Sequence, residues 1–303
     1  MKQRWHILGA GSIGCLWACH LTESGYPVSL ILRNQQRLTQ FSEKSGIQIG
    51  NDFFAVSAEL ADGPLPIQQL LVTTKAIDTI DAFNSIRERV ADNARVVVLQ
   101  NGMGSQQWIK AQLPNADVTW ASTTDGAWLK SPFSLVHAGK GFTRIGSPDT
   151  NYPWLMSLDN GFLNVEIDDD ISGTLWRKLA INCAINPLTA VHQCKNGDLI
   201  KNPDYLATMA AICREVELVA EAEGLRLFEG PLIEQACQVA ELTADNFSSM
   251  LQDIRHQRTT EISHITGYLC DLAKQHHLRI PTNQLYLRKI EKIQDDIKLN
   301  QAF

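Results

Sequence analysis

The chain opens with three glycines whose spacing is suited to chemistry, Gly9, Gly11 and Gly14, in the run Gly9-Ala10-Gly11-Ser12-Ile13-Gly14. In a GxGxxG turn the first glycine allows a tight bend, the second lets the backbone approach an anion, and the third lets a helix pack closely on a strand. A helix that starts there offers free N–H groups and the positive end of its dipole to a pyrophosphate. Glycine turns are common, so the setting decides. Trp5–Leu8 reads as a short buried strand before the turn, and Cys15-Leu16-Trp17-Ala18-Cys19-His20-Leu21 reads as a helix after it. Gly9, Ala10, Gly11, Ser12, Ile13 and Gly14 are therefore candidates to cradle a dinucleotide.

The next strand, Val28–Leu32, ends at Arg33, where a site for NAD would offer an acid to the ribose hydroxyls. A cation there, with Arg37 one helical turn on and Lys75 after a later strand, suits the 2'-phosphate of NADPH/NADP+. The plain alternative makes Arg33 a solvated strand-end residue. The apolar runs Leu70–Thr73 and Val96–Leu99 suit buried parallel strands, and each leads into polar residues: Thr74-Lys75 after the first, Gln100-Asn101-Gly102-Met103-Gly104 after the second. Asn101 is a candidate for the cofactor ribose or for substrate, although Asn-Gly is also an ordinary turn pair.

A second polar set lies far along the chain. Lys178, Asn182 and Asn186 are spaced i, i+4 and i+8, which puts them on one stripe of a helix. Such a stripe on a surface helix is a solvated face. This one is flanked by Trp176, Ala180, Ile181, Cys183 and Ala184, so the helix reads as mostly buried, and buried amides and a buried ammonium need partners. An oxygen-rich substrate would supply them. Asn246, Ser249 and Asp253 follow at i, i+3 and i+7, with Glu261 beyond, and the pattern predicts that all four share one long helix. An exposed amphipathic helix with Arg255 and His256 is the alternative.

These residues need two kinds of scaffold. Parallel-strand patterns, with Ser134–His137 and Phe142–Ile145 predicted as an antiparallel hairpin at the sheet edge, give an α/β Rossmann domain over 1–168. The acids Asp168-Asp169-Asp170, and a helix from Ile171 to Asn186 ended by Pro187, open an all-α domain over 169–303. With 27 basic and 33 acidic residues the formal charge is -6, which gives no pull toward nucleic acid or an anionic membrane surface. The apolar stretch near the start, Ile7-Leu8, is too short for a signal sequence, and the seven cysteines are scattered without a CxxC pair, so the reading is a cytoplasmic protein with buried thiols and no metal. His276-His277 reads as the solvated end of a helix.

Taken together, GAGSIG, QNGMG, LWRKLAINCAINPLTA at Leu175 to Ala190, NGDL at Asn196 to Leu199, NFSSMLQDI at Asn246 to Ile254 and TEISHITG at Thr260 to Gly267 give a chain that resembles the ketopantoate reductase (2-dehydropantoate 2-reductase) family over nearly its whole length. The resemblance implies NADPH-dependent reduction of ketopantoate to (R)-pantoate in pantothenate biosynthesis. Lys178 would be the general acid and Glu261 would orient or charge-balance it. Ser249 would take the substrate carboxylate, with Asn101, Asn182, Asn186, Asn196 and Asn246 on substrate oxygens or cofactor. A monomer or homodimer is expected. The alternatives are a related reductase of another 2-keto or 2-hydroxy acid, and a non-catalytic NADP(H) sensor that would have no use for Lys178. The segments Asn34–Pro66 and Ser147–Asp168 carry no readable motif.

Overall fold

Short apolar runs at the start of the chain build a parallel sheet. In the computed structural model, which describes residues 2–148, 152–159 and 162–301, the first strands and helices are β1 (Trp5–Leu8), α1 (Ser12–Glu23), β2 (Val28–Leu32), α2 (Gln35–Ser42), β3 (Ile47–Ile49), β4 (Asp52–Phe54), β5 (Ser57–Leu60), β6 (Ile67–Val72), α3 (Thr79–Ile86), β7 (Val90–Leu99), α4 (Ser105–Gln112) and β8 (Asp117–Thr123). Then come β9 (Gly126–Ser131), β10 (Ser134–Gly139), β11 (Thr143–Gly146) and β12 (Val165–Ile167). The main sheet runs β12-β11-β8-β7-β6-β1-β2-β5, and its pairings are parallel except β11 with β8. From β5 to β8 this is the doubly wound order in which direction reverses beside β1, so the carboxyl ends of β1 and β6 flank the crevice where such sheets bind ligands.

Helix α1 is buried from Gly14 to Leu21 because it lies between two sheets. One side packs on β1 and β2, the other on a four-stranded sheet of order β4-β3-β10-β9. A helix covered on both sides has no need of a polar face. Cys15 and Cys19 sit in that interior, and burial pushes both thiols up, Cys15 to about 12.

The predicted hairpin is corrected. Ser134–His137 pairs with β9, not with Phe142–Ile145. Phe133 takes φ +58° in the turn between β9 and β10, and its buried ring meets Phe41 edge-on at 5.0 Å, which fixes the nearer hairpin. Beyond Gly139 the chain crosses between the sheets instead, held by the Asp125 carboxylate, which accepts from His137 Nε2 (2.9 Å) and the Gly141 amide (3.0 Å). Of the two predicted hairpin segments only the second, as β11, joins the main sheet, where it pairs antiparallel with β8.

The helical part comprises α5 (Ile171–His192), α6 (Asp198–Lys201), α7 (Pro203–Ala222), α8 (Leu232–Leu242), α9 (Ser249–Arg255), α10 (Thr266–Gln275) and α11 (Pro281–Gln301). Contacts divide the chain into two units, Met1–Gln100 with Gly104–Ser172, and Asn101–Met103 with Gly173–Phe303. The division falls later than position 168, and the loop 101–103 belongs with the helices.

Helix α5 does not stop at Pro187 as expected but runs through it. Proline removes one N–H bond to the preceding turn; Leu188, Thr189 and Ala190 beyond it are wholly buried, and that packing holds the helix. Two carboxylates of α7 cap its neighbours. Glu215 accepts from the Thr282 and Asn283 amides, both at 2.8 Å, at the start of α11, and Glu217 accepts from the Leu232 amide at the start of α8 (2.6 Å).

The single long helix expected from Asn246 to Ile262 is also corrected. Ser248 caps α9 by accepting from the Leu251 amide at 3.1 Å, which leaves Asn246 outside the helix. The chain leaves α9 at Gln257, φ +54°, and Arg258 folds back on Asp253 through Nε at 3.0 Å. His256 to Thr260 contains no apolar residue that a helix could bury. His276 ends α10 and meets Glu223. Among the described residues no helix is long and apolar enough to cross a membrane, and no cluster of His, Cys, Asp and Glu could hold a metal.

Candidate active site

In the first unit, parallel register places Leu8 beside Val72, so the glycine turn after β1 meets the Thr73-Thr74-Lys75 turn after β6. Thr73 donates through Oγ1 to the Gly9 carbonyl (2.7 Å) and through its amide to Leu8 (2.8 Å). Gly9 has φ +110°, and a Cβ there would stand 2.5 Å from the Thr74 amide; one on Gly14 would stand 2.0 Å from the Gly9 carbonyl. Gly11 differs, because a Cβ there meets nothing within 4 Å. Gly11 is the N-cap of α1, with no side-chain cap and no acid in the first turn. An uncapped helix start behind an unobstructed glycine fits a phosphate, so these residues fit the dinucleotide the motif implied.

Arg33 is exposed at the end of β2. Arg37 stands on α2 with its guanidinium 4.6 Å from the centre of the Phe133 ring and Nη1 donating to Gln40 Oε1 at 2.9 Å. Burial lowers the Arg37 guanidinium, and the charge of Arg33 lowers it further. The two cations are near enough for the charge of one to act on the other. Lys75 is half-buried at the head of a short turn, where its carbonyl accepts from the Thr79 hydroxyl at 3.0 Å.

Sequence reasoning missed Thr73 and Gln100. The Gln100 carboxamide donates to the Thr74 carbonyl (2.8 Å) and lies against the hydroxyls of Thr74 and Thr79, while its oxygen accepts from Ser105 at 2.5 Å. It ties the loops after β6 and β7 together. A buried glutamine at a strand end was the available signal.

In the second unit, the loop carrying Asn101 is fastened to the turn after Glu261. The Met103 amide donates to the His264 carbonyl at 2.9 Å, and His264 Nδ1 lies 3.4 Å from the Met103 carbonyl. Gly102 has φ +79°, and a Cβ there would fall 2.5 Å from the His264 carbonyl oxygen. Asn-Gly is thus more than a turn pair here: its glycine permits the contact that sets Asn101 beside the Glu261 turn.

Lys178 and Asn182 are half-buried on α5 and Asn186 is buried, so this stripe is not a solvated face. Burial lowers the Lys178 ammonium to about 8, and the charge of Glu261 works in the opposite direction to keep it protonated. One turn beyond Asn186, the Thr189 hydroxyl lies 3.0 Å from the Asn186 carbonyl and 2.7 Å from the Ser248 hydroxyl. That link sets the start of α9, with exposed Ser249, against α5. The Asn196 amide donates to the Asn246 carbonyl at 3.0 Å and its side chain donates to Thr243 at 2.9 Å, leaving its buried Oδ1 without a protein partner. Asn246 itself is exposed, whereas Asp253 is buried and paired with Arg258. Asn246, Ser249 and Asp253 therefore do not form one face.

A doubly wound sheet with an open glycine turn, joined to a helical unit holding a lysine under the charge of a carboxylate, defines a nicotinamide-dependent oxidoreductase. Comparison gives the family. The model described as "Ketopantoate reductase PanE/ApbA" matches residues 5–150, and "Ketopantoate reductase PanE/ApbA C terminal" matches 170–294. The 2-dehydropantoate 2-reductase of Vibrio cholerae is 34% identical over 294 residues, 95% of this chain and 97% of that one. A PanE/ApbA family ketopantoate reductase from Ralstonia eutropha has a solved structure with a TM-score of 0.87 and 25% identity, covering 97% of this chain and 99% of that one. A D-mandelate dehydrogenase solved with NADH and anilino(oxo)acetate shares the fold, with a TM-score of 0.87, 22% identity and the same coverages. This chain belongs to the ketopantoate reductase family and is an NADP-dependent oxidoreductase.

Proposed function

We propose that this protein reduces 2-dehydropantoate to (R)-pantoate with NADPH, Lys178 being the general acid. The observation that carries the reading is Lys178 itself: a half-buried lysine on α5 between buried Trp176 and Leu179, brought to about 8 by burial and kept protonated by Glu261. A free lysine near 10.4 is a poor proton donor at neutral pH, and one near 8 is matched to the task.

When bound, NADPH supplies the hydride that adds to the ketone carbon. The glycine turn from Gly9 to Gly14 would hold its pyrophosphate at the uncapped start of α1, and Arg33, Arg37 and Lys75 would hold its 2'-phosphate. Lys178 Nζ gives a proton to the ketone oxygen as negative charge develops there, and it ends the step as a neutral amine that solvent reprotonates. Glu261 favours the charged lysine before transfer. Ser249 receives the substrate carboxylate, and Asn101, Asn182, Asn186, Asn196 and Asn246 donate to the remaining oxygens or to the cofactor. The buried Asn196 Oδ1, without a protein partner, supports a role for that residue toward a ligand hydroxyl. Cys15, Cys19, Cys183, Cys194, Cys213, Cys237 and Cys270 are all free thiols, in keeping with work in the reducing cytoplasm.

The test is NADPH consumption by the purified protein with ketopantoate beside pyruvate, 2-ketoisovalerate and 2-oxoglutarate at matched concentrations. Turnover confined to ketopantoate supports the reading. Equal or faster turnover of another keto acid would reassign the substrate and leave the cofactor site as described.

A further inference from the structure

Glu261 stands in a short non-helical stretch, yet the residue before it is held firmly. Thr260 is 1% exposed, and both its amide and its hydroxyl donate to one acceptor, Gln294 Oε1 on α11, at 2.7 and 2.9 Å. The Thr260 hydroxyl in turn accepts from the Ile262 amide at 3.3 Å. Glu261 is thereby bracketed, with the residues on either side joined through one hydroxyl that is anchored to Gln294. The anchor is itself rigid: α11 packs on the turn that follows Glu261, and Glu215 of α7 caps its first turn. An amide oxygen accepting two bonds from one buried residue is a specific arrangement that hydrophobic packing would not require.

We propose that Gln294 is a positioning residue for the lysine–carboxylate pair: it fixes Thr260, and through it the Glu261 carboxylate, beside Lys178. The inference rests on the reading of Lys178 as the acid. Gln294 touches neither reacting group, so its effect passes through the Lys178 proton. Among the described residues Glu261 is the ionised group whose charge acts on Lys178, and it acts to raise proton affinity against burial. Loosening Glu261 therefore lowers the affinity of Lys178 for its proton.

The test follows the Lys178 Cε resonance through a pH titration, identified by its loss in Lys178→Arg, in the parent protein and in Gln294→Met, Gln294→Glu and Glu261→Gln. Gln294→Met keeps the shape and removes the acceptor. We expect its Lys178 midpoint to fall by about half a unit or more, a roughly threefold loss of proton affinity. Glu261→Gln should fall further, and Gln294→Glu, which keeps the acceptor, should stay at or above the parent value. The alkaline limb of kcat/KM should move the same way while the Kd for NADPH holds. Should Gln294→Met fail to fold, Thr260→Val, which keeps the amide bond and loses the hydroxyl, must lower the midpoint by a smaller step. An unchanged midpoint in the folded variant overturns the inference, as does reduced kcat with an unmoved limb, which marks mere structural damage. A parent that ignores ketopantoate but shows the Lys178 shift sinks the functional reading and upholds the positioning role.

Discussion

The Met103 amide reaches the His264 carbonyl at 2.9 Å, joining two motifs that lie far apart in the chain. Gly102 makes this approach possible, since at φ +79° any Cβ would meet the His264 oxygen at 2.5 Å. Gly102→Ala must push the loop carrying Asn101 away from the Glu261 turn. Steady-state kinetics should show kcat/KM for ketopantoate down by about tenfold or more, in line with a strained backbone costing ~1–3 kcal/mol. Normal kinetics would mean that Asn101 needs no such placement.

Gly11 and Gly14 should respond differently to the same added methyl. Gly14→Ala collides with the Gly9 carbonyl at 2.0 Å, whereas the space around a Gly11 Cβ is open. Thermal unfolding of Gly14→Ala should therefore shift down even without cofactor. Gly11→Ala should unfold like the parent but lose the stabilisation that NADPH confers, because its methyl occupies the approach to the helix start. Full NADPH stabilisation of Gly11→Ala would contradict a pyrophosphate at that turn.

Arg33→Ala should weaken NADPH selectively. A charge-assisted contact is worth about 1.5–3 kcal/mol, or roughly 10- to 150-fold in binding. Isothermal titration with NADPH and NADH checks this, and equal losses for both would separate Arg33 from the 2'-phosphate. Arg37, stacked on Phe133, is expected to retain part of the preference in the single variant.

Much of the first unit was legible because its signals are local. The strand–glycine turn–helix order and the arginine at the end of β2 are read within a few residues of sequence. The hairpin failed because Ser134–His137 has two plausible partners, and the buried turn at Phe133 settles the choice. In the second unit the lysine stripe of α5 was visible through helical periodicity. Its extension past Pro187 was not, because tertiary burial of Leu188 to Ala190 outweighed one missing hydrogen bond. The contacts Met103 to His264, Thr189 to Ser248 and Gln294 to Thr260 join distant segments, and single-sequence periodicity carries no information about them.

The pH profile follows from the sign of the Lys178 shift. Ketone reduction needs the protonated lysine, so kcat/KM should be high below about 8 and fall as pH rises through that value. Lys178→Ala should lose about 100- to 10,000-fold in kcat, the range for a positioned acid, keep NADPH affinity, and lack the limb near that pH. A limb that persists in Lys178→Ala would assign it to another group.

The most direct measurement uses NADPH deuterated at nicotinamide C4, with each face labelled in turn, mixed with ketopantoate and the parent protein, and mass analysis of the product. One of the two labelled cofactors should yield pantoate with a single deuterium on its carbinol carbon. Bound NADPH with no pantoate formed, or pantoate that carries no deuterium from either cofactor, would contradict hydride transfer to this substrate.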